Sequence, residues 1–105
     1  MNDLDHLAGL ASALVRARRP FAATGTDGLP ALRLWDPATP RVGIHVVAAP
    51  DRAGAWWFWA SVGVPLARCH DLDTAVETIT DALASPADLL LAARDHARAR
   101  RPRIV

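Results

Sequence analysis

The chain has 105 residues, 51% of them apolar, and carries twelve basic against eleven acidic side chains for a net charge of +1. That length holds one domain and leaves no room for two, and the apolar fraction argues against a disordered chain. Cys69 is the only cysteine, which excludes an internal disulfide, and no apolar run reaches the ~18 residues a membrane span needs.

The first residues, Met1-Asn2-Asp3-Leu4-Asp5, are acidic, whereas a signal peptide opens basic. The expectation is a small, soluble, cytoplasmic protein. All twelve basic residues are Arg, a usage that reads as the coding bias of a GC-rich genome rather than selection for phosphate binding. The charge is uneven. Residues 94–105 carry five Arg against Asp95, while the preceding residues carry seven Arg against ten acids.

In chain order, Asp3 to Arg19 has the spacing of an amphipathic helix, with Leu4, Leu7, Ala11, Leu14 and Arg18 on one stripe and Leu10 and Val15 widening it. Asn2 or Asp3 caps it and Pro20 stops it. Phe21 to Thr24 reads as a short strand before a turn at Asp27-Gly28. Ala31 to Trp35 alternates, with Leu32 and Leu34 facing one way and Arg33 and Trp35 the other. Asp36-Pro37-Ala38-Thr39-Pro40 reads as a rigid loop, because proline cannot donate to a ladder. Val42 to Ala48 puts Val42, Ile44 and Val46 on one face and His45 and Val47 opposite. After a turn at Asp51-Arg52-Ala53-Gly54 come the aromatic strand, Ala55 to Ser61, and a last strand, Val64 to Arg68. Connections this short select an antiparallel meander, since a parallel crossover needs a dozen residues or more. Asp71 or Asp73 caps a second helix with Leu72, Val76, Ile79 and Leu83 as its stripe. Ser85-Pro86-Ala87-Asp88 signals a third helix, running to about Arg98. The expected fold is an α+β domain over residues 1–98, a meander of three to five strands carrying an N-terminal helix and one or two C-terminal helices, followed by a basic tail, 99–105.

The chemistry-bearing feature is Trp56-Trp57-Phe58-Trp59. Strand residues alternate between faces, so Trp56 and Phe58 share one face and Trp57 and Trp59 the other. A large aromatic side chain carries ~150–250 Å² of buriable surface, so a pair left bare presents a patch as large as an ordinary monomer shows. Two readings follow: helices cover both faces and all four rings are core, or one face binds. On the binding reading the surface comprises Trp57, Trp59, Trp35, Arg33 and His45, residue types enriched at interfaces, and a homodimer or another protein occupies it.

Catalytic patterns are not evident. His6, His45, His70 and His96 have no helical metal spacing. Cys69 and His70 are adjacent and point apart in an extended segment. Thr24-Gly25-Thr26-Asp27-Gly28 lacks the length and the Lys of a phosphate loop. Neither a metal nor a cofactor is expected, and the chain is read as non-enzymatic. Two alternatives stand beside the interaction module. One is a small-ligand binder or minor enzyme with a Trp-lined groove using Arg33 and His45. The other is a nucleic-acid accessory protein acting through Arg98, Arg100, Arg101 and Arg103, whose contacts would be salt-sensitive and unspecific.

Trp56-Trp57-Phe58-Trp59-Ala60-Ser61-Val62-Gly63-Val64-Pro65-Leu66, followed by Asp71 and a helix with Ala75 and Ile79, resembles an uncharacterised group of short actinobacterial proteins. The segment Leu32-Arg33-Leu34-Trp35-Asp36-Pro37-Ala38-Thr39-Pro40 resembles their Leu-x-Val-x-Asn-Pro-x-x-Pro. The resemblance spans roughly residues 4–84, with the aromatic tetrad its most specific part. Such proteins are often encoded near helix-turn-helix regulators, so the resemblance implies a regulatory setting and no reaction. A looser similarity, at the level of architecture, is to small secretion-type chaperones.

Overall fold

In the computed structural model, which describes residues 2–26, 28–60 and 63–85, Asn2 opens the first helix through a reciprocal cap. Its side chain accepts from the Asp5 amide at 3.0 Å, and the Asp5 carboxylate accepts from the Asn2 amide at 3.2 Å. Helix α1 spans Asp3–Arg16. It ends three residues short of the expected Arg19, because Arg18 takes a left-handed backbone, φ 57°. The Arg19 amide then reaches back to the Leu14 carbonyl at 2.9 Å and the Arg18 amide to Val15 at 3.1 Å, which satisfies the orphan carbonyls. Its buried line is Leu7, Leu10, Ala13 and Leu14. Leu4 and Val15, expected on the apolar stripe, are 60% and 63% exposed.

Five strands follow: β1 Phe21–Thr26, β2 Leu29–Asp36, β3 Thr39–Pro50, β4 Trp56–Ala60 and β5 Val64–Arg68. They form one antiparallel sheet in sequence order, a meander. The expected loop over residues 36–40 is shorter than its prolines suggested. Asp36 pairs with Thr39, leaving Pro37-Ala38 as the turn, and the ladder then shifts register beside Trp35. That irregularity accommodates Pro40 inside β3, as bulges do. The Asp36 carboxylate closes the turn by accepting from the Ala38 amide at 2.9 Å. Val42, expected to share the buried face with Ile44, is 45% exposed at this irregular end.

Helix α2 spans Leu72–Ala84 and is capped by Asp71, whose carboxylate accepts from the Thr74 amide at 3.2 Å and its hydroxyl at 2.7 Å. These two bonds hold the Asp71 carboxyl below its usual range, the hydroxyl bond contributing most. The third helix and the basic tail expected from the sequence lie outside the described residues.

Both helices pack on the same face of the sheet. Leu7, Leu10 and Leu14 of α1 and Ala75, Ile79 and Leu83 of α2 join Leu32, Leu34, Ile44, Val46, Ala48 and Phe58 in one core. Each large apolar side chain sealed there contributes ~1.5–3 kcal/mol relative to exposure. The chain is thus an α+β meander with its core on one side of the sheet. Among the described residues, no helix is long and apolar enough to cross a membrane.

Candidate functional site

The strand register assigns every aromatic of the tetrad to a side. Phe58 is fully buried beneath the helices, and Trp56 is half-buried beside it, its ring 4.8 Å from that of His6 on α1. Trp57 and Trp59 stand on the other face, away from α1 and α2. There Trp57 pairs with Ala49 and Arg68, and Trp59 with Val47 and Pro65. Arg33 pairs with His45, and Trp35 with Gly43, on the same side. The five residues singled out from the sequence therefore share one sheet face. They divide into a Trp57/Trp59 cluster over β3–β5 and an Arg33/Trp35/His45 cluster over β2–β3.

Neither tryptophan of the first cluster is bare. Both are half-buried, because each indole is tied down onto the sheet. Trp57 Nε1 donates to the Asp51 carboxylate at 3.0 Å and Trp59 Nε1 donates to the Ala49 carbonyl at 3.1 Å. Asp51 is itself the organiser of the β3–β4 turn, accepting from the Ala53 and Ala55 amides at 2.9 Å each. The Ala55 amide, with the Trp57 and Ala53 bonds and the charge of Arg68 adding to it, lowers the Asp51 carboxyl below its ordinary range. On its outer side the Trp57 ring carries the Arg68 guanidinium, 5.4 Å from the centroid, within cation–π range.

The second cluster repeats this unit. The Arg33 guanidinium lies 5.1 Å from the Trp35 ring centroid and donates to the Pro40 carbonyl at 3.0 Å. Gly43 makes the room. A Cβ at that position would stand 2.7 Å from the Leu34 carbonyl oxygen and 3.1 Å from the Arg33 guanidinium. Sequence reading passed over Gly43 and Arg68. The alternation of β2 and β3 signals Gly43 as the gap in a row of side chains, whereas Arg68 depends on the β4–β5 register shift and leaves no local signal.

An open cleft of about 500 Å³ adjoins Trp59, lined also by Pro50, Asp51, Arg52 and Ala53. It takes in neither Arg33 nor His45, so it is not the groove expected for a small ligand. Cys69 is buried on the helix side, with the sheet between it and His45. Burial pushes its thiol up to about 11, which keeps it neutral and non-nucleophilic near pH 7. Among the described residues no three His, Cys, Asp or Glu side chains converge as a metal site. Arg98, Arg100, Arg101 and Arg103 lie outside the described residues. No protein-family model, curated protein or solved structure matches the chain.

Proposed function

We propose that this protein is a non-enzymatic interaction module, regulatory in setting, whose aromatic sheet face binds a protein partner presenting carboxylates among apolar side chains. The observation that carries this reading is the pair of Arg-on-Trp stacks, Arg33 on Trp35 and Arg68 on Trp57, built on one face. A guanidinium seated over an indole keeps donors for a carboxylate, and the ordering cost is already met before the partner arrives. Arg33 is fixed further by Pro40 and by the gap at Gly43. The Asp51 carboxylate beside Trp57 is engaged by the Trp57 indole and two turn amides. Arg33 and Arg68 therefore make the face cationic, which favours an acidic partner over a second copy of the same face.

The test is affinity capture with the full chain from its native cells, repeated with Arg33→Glu/Arg68→Glu and with Trp57→Ala/Trp59→Ala. Both double variants should stay cooperatively folded and lose the same captured protein. Retention of that protein by both would refute the reading. Cooperative unfolding lost on tryptophan removal would instead make the rings core.

A further inference from the structure

The two edges of the sheet are unlike. On β5, Pro65 cannot donate, the ladder to β4 is irregular, and α2 packs against the strand; those are devices that keep an edge from pairing. On β1, Phe21–Thr26, none is present: the strand has no charge, no proline and no register shift. Ala22, Ala23, Thr24 and Gly25 are exposed. Thr26 pairs with Leu29, two residues separate them in the sequence, and Gly28 has φ 79°. A two-residue loop makes that a hydrogen-bonded pair, and such pairs alternate. Thr24–Ala31 and Ala22–Arg33 therefore bond inward, and the backbone N–H and C=O of Phe21, Ala23 and Gly25 point outward. Pro30, opposite Gly25, sits at a position that needs no donor to β1.

The flank above this edge is also apolar. At ~100° per residue Leu4, Ala8, Ala11 and Val15 form one stripe on α1. Leu4, Ala8 and Val15 are exposed and Ala11 is half-buried. The opposite flank of α1 meets α2: Gly9 lies against Leu72, and Ala13, Arg16 and Ala17 share a cleft with Asp73, Val76 and Glu77. Since α1 lies over β2 and β3 and α2 mainly over β5, the stripe points towards β1.

We infer that the outer edge of β1 and the Leu4–Val15 stripe of α1 form a two-fold interface with a second copy of this chain, joining two five-stranded sheets into one of ten. Antiparallel pairing centred on Ala23 sets Phe21 against Gly25 of the second copy and Ala23 against itself, so every outward donor meets an acceptor. A two-fold contact sets a patch against its own copy, which like charges along the edge would oppose and this uncharged edge allows. Six residues at ~3.4 Å and fourteen at ~1.5 Å make strand and helix each about 20 Å long. With layers ~10 Å apart, two copies cover on the order of 800 Å² in projection, and more with side-chain relief, which suits a concentration-dependent dimer and not an obligate one. In that dimer the two cationic tryptophan faces lie side by side on one continuous surface.

The test follows mass and amide exchange of the full chain over a concentration series. The wild type should pass from monomer to dimer, with the amides of Ala23 and Gly25 becoming protected in step. Ala23→Pro removes only an outward donor and leaves the β1–β2 ladder whole; it should weaken dimerisation at least ~tenfold while the fold is kept. Val15→Glu, on the helix, should do the same by setting a charge against the apolar stripe of the second copy. A wild type monomeric throughout, a dimer indifferent to Val15→Glu, or a dimer whose Ala23 and Gly25 amides stay unprotected would each overturn the inference. Should Ala23→Pro unfold, Val15→Glu and the wild-type exchange decide alone. Trp57→Ala/Trp59→Ala should leave the dimer intact, so this interface and the partner-binding face fail separately.

Discussion

The two faces of the sheet carry nearly equal aromatic weight and use it differently. Beneath the helices, Phe58 is sealed among Leu10, Leu34, Val46 and Ile79, and the one buried polar side-chain atom left without a hydrogen bond among the described residues is His6 Nε2. On the opposite face every indole is polar-tethered or stacked: Trp57 by Asp51 and Arg68, Trp59 by Ala49, Trp35 by Arg33. Burial in the first case is close packing, whose worth lies in volume filled. In the second, hydrogen bonds and guanidinium contacts hold the rings in place on a surface, whose worth lies in fixed position. Residue type alone does not separate a core ring from a presented one; what surrounds it does.

The sharpest way to break this contrast is to remove one ring from each side. Phe58→Ala should destabilise the protein by ~3–5 kcal/mol, the range for a fully enclosed aromatic, measured by urea unfolding. Trp57→Ala should cost no more than ~1.5 kcal/mol, since its ring is half open and its loss leaves no sealed cavity. Equal losses would mean that both faces are core and would remove the basis for a binding surface.

Gly43→Ala probes the presented face from below. A Cβ 2.7 Å from a backbone oxygen cannot be relieved by a side-chain rotation alone, so β3 must move and the Arg33 guanidinium with it. A loss of ~1–3 kcal/mol is expected, together with a change in Trp35 fluorescence that Arg33→Ala reproduces. Stability without that optical change would show the stack to be incidental to the gap.

Much of this layout is legible in the sequence. Alternation through 31–35, 42–48 and 56–59 separates the two faces, and short connections select the meander. What escapes is whatever depends on a neighbour. Leu4 and Val15 continue the apolar pattern of α1 yet are exposed, because they lie on the flank turned away both from the buried line Leu7, Leu10 and Leu14 and from α2. The helix stop at Arg18 carries no glycine to announce it. Pro37 and Pro40 look like a loop, although a register shift lets the ladder resume at Thr39. Beside Trp59 a second shift sends both Leu66 and Ala67 inward, which no period-two pattern foretells.

A smaller effect sharpens the comparison on the helix side. Asp71→Ala removes both cap bonds to Thr74 and should cost ~1 kcal/mol, with amide exchange rising in the first turn of α2 and the tryptophan face unaltered. Changes in Trp57 or Trp59 spectra would show that the faces are coupled through the sheet.

The smallest effect is a titration. The folded state lowers the Asp51 carboxyl, so ionised Asp51 stabilises the fold above the ordinary aspartate value of ~3.9, and that contribution fades as pH falls through the lower, folded value. Protonation weakens the acceptor that orients the Trp57 indole, because a neutral carboxyl holds an N–H less strongly than a charged one. The Trp57 Nε1 proton should therefore keep its chemical shift and slow exchange from neutral pH down to about pH 4, then lose both as acid is added. The Trp59 Nε1 proton, bonded to a carbonyl that does not titrate, should respond only if the whole fold gives way. Asp51→Asn should abolish the Trp57 transition while leaving a turn, since an amide oxygen still accepts from Ala53 and Ala55. A transition at or above the ordinary aspartate value, or one shared equally by Trp57 and Trp59, would show that the anchor is not Asp51 and that the two rings are held as a single packed unit.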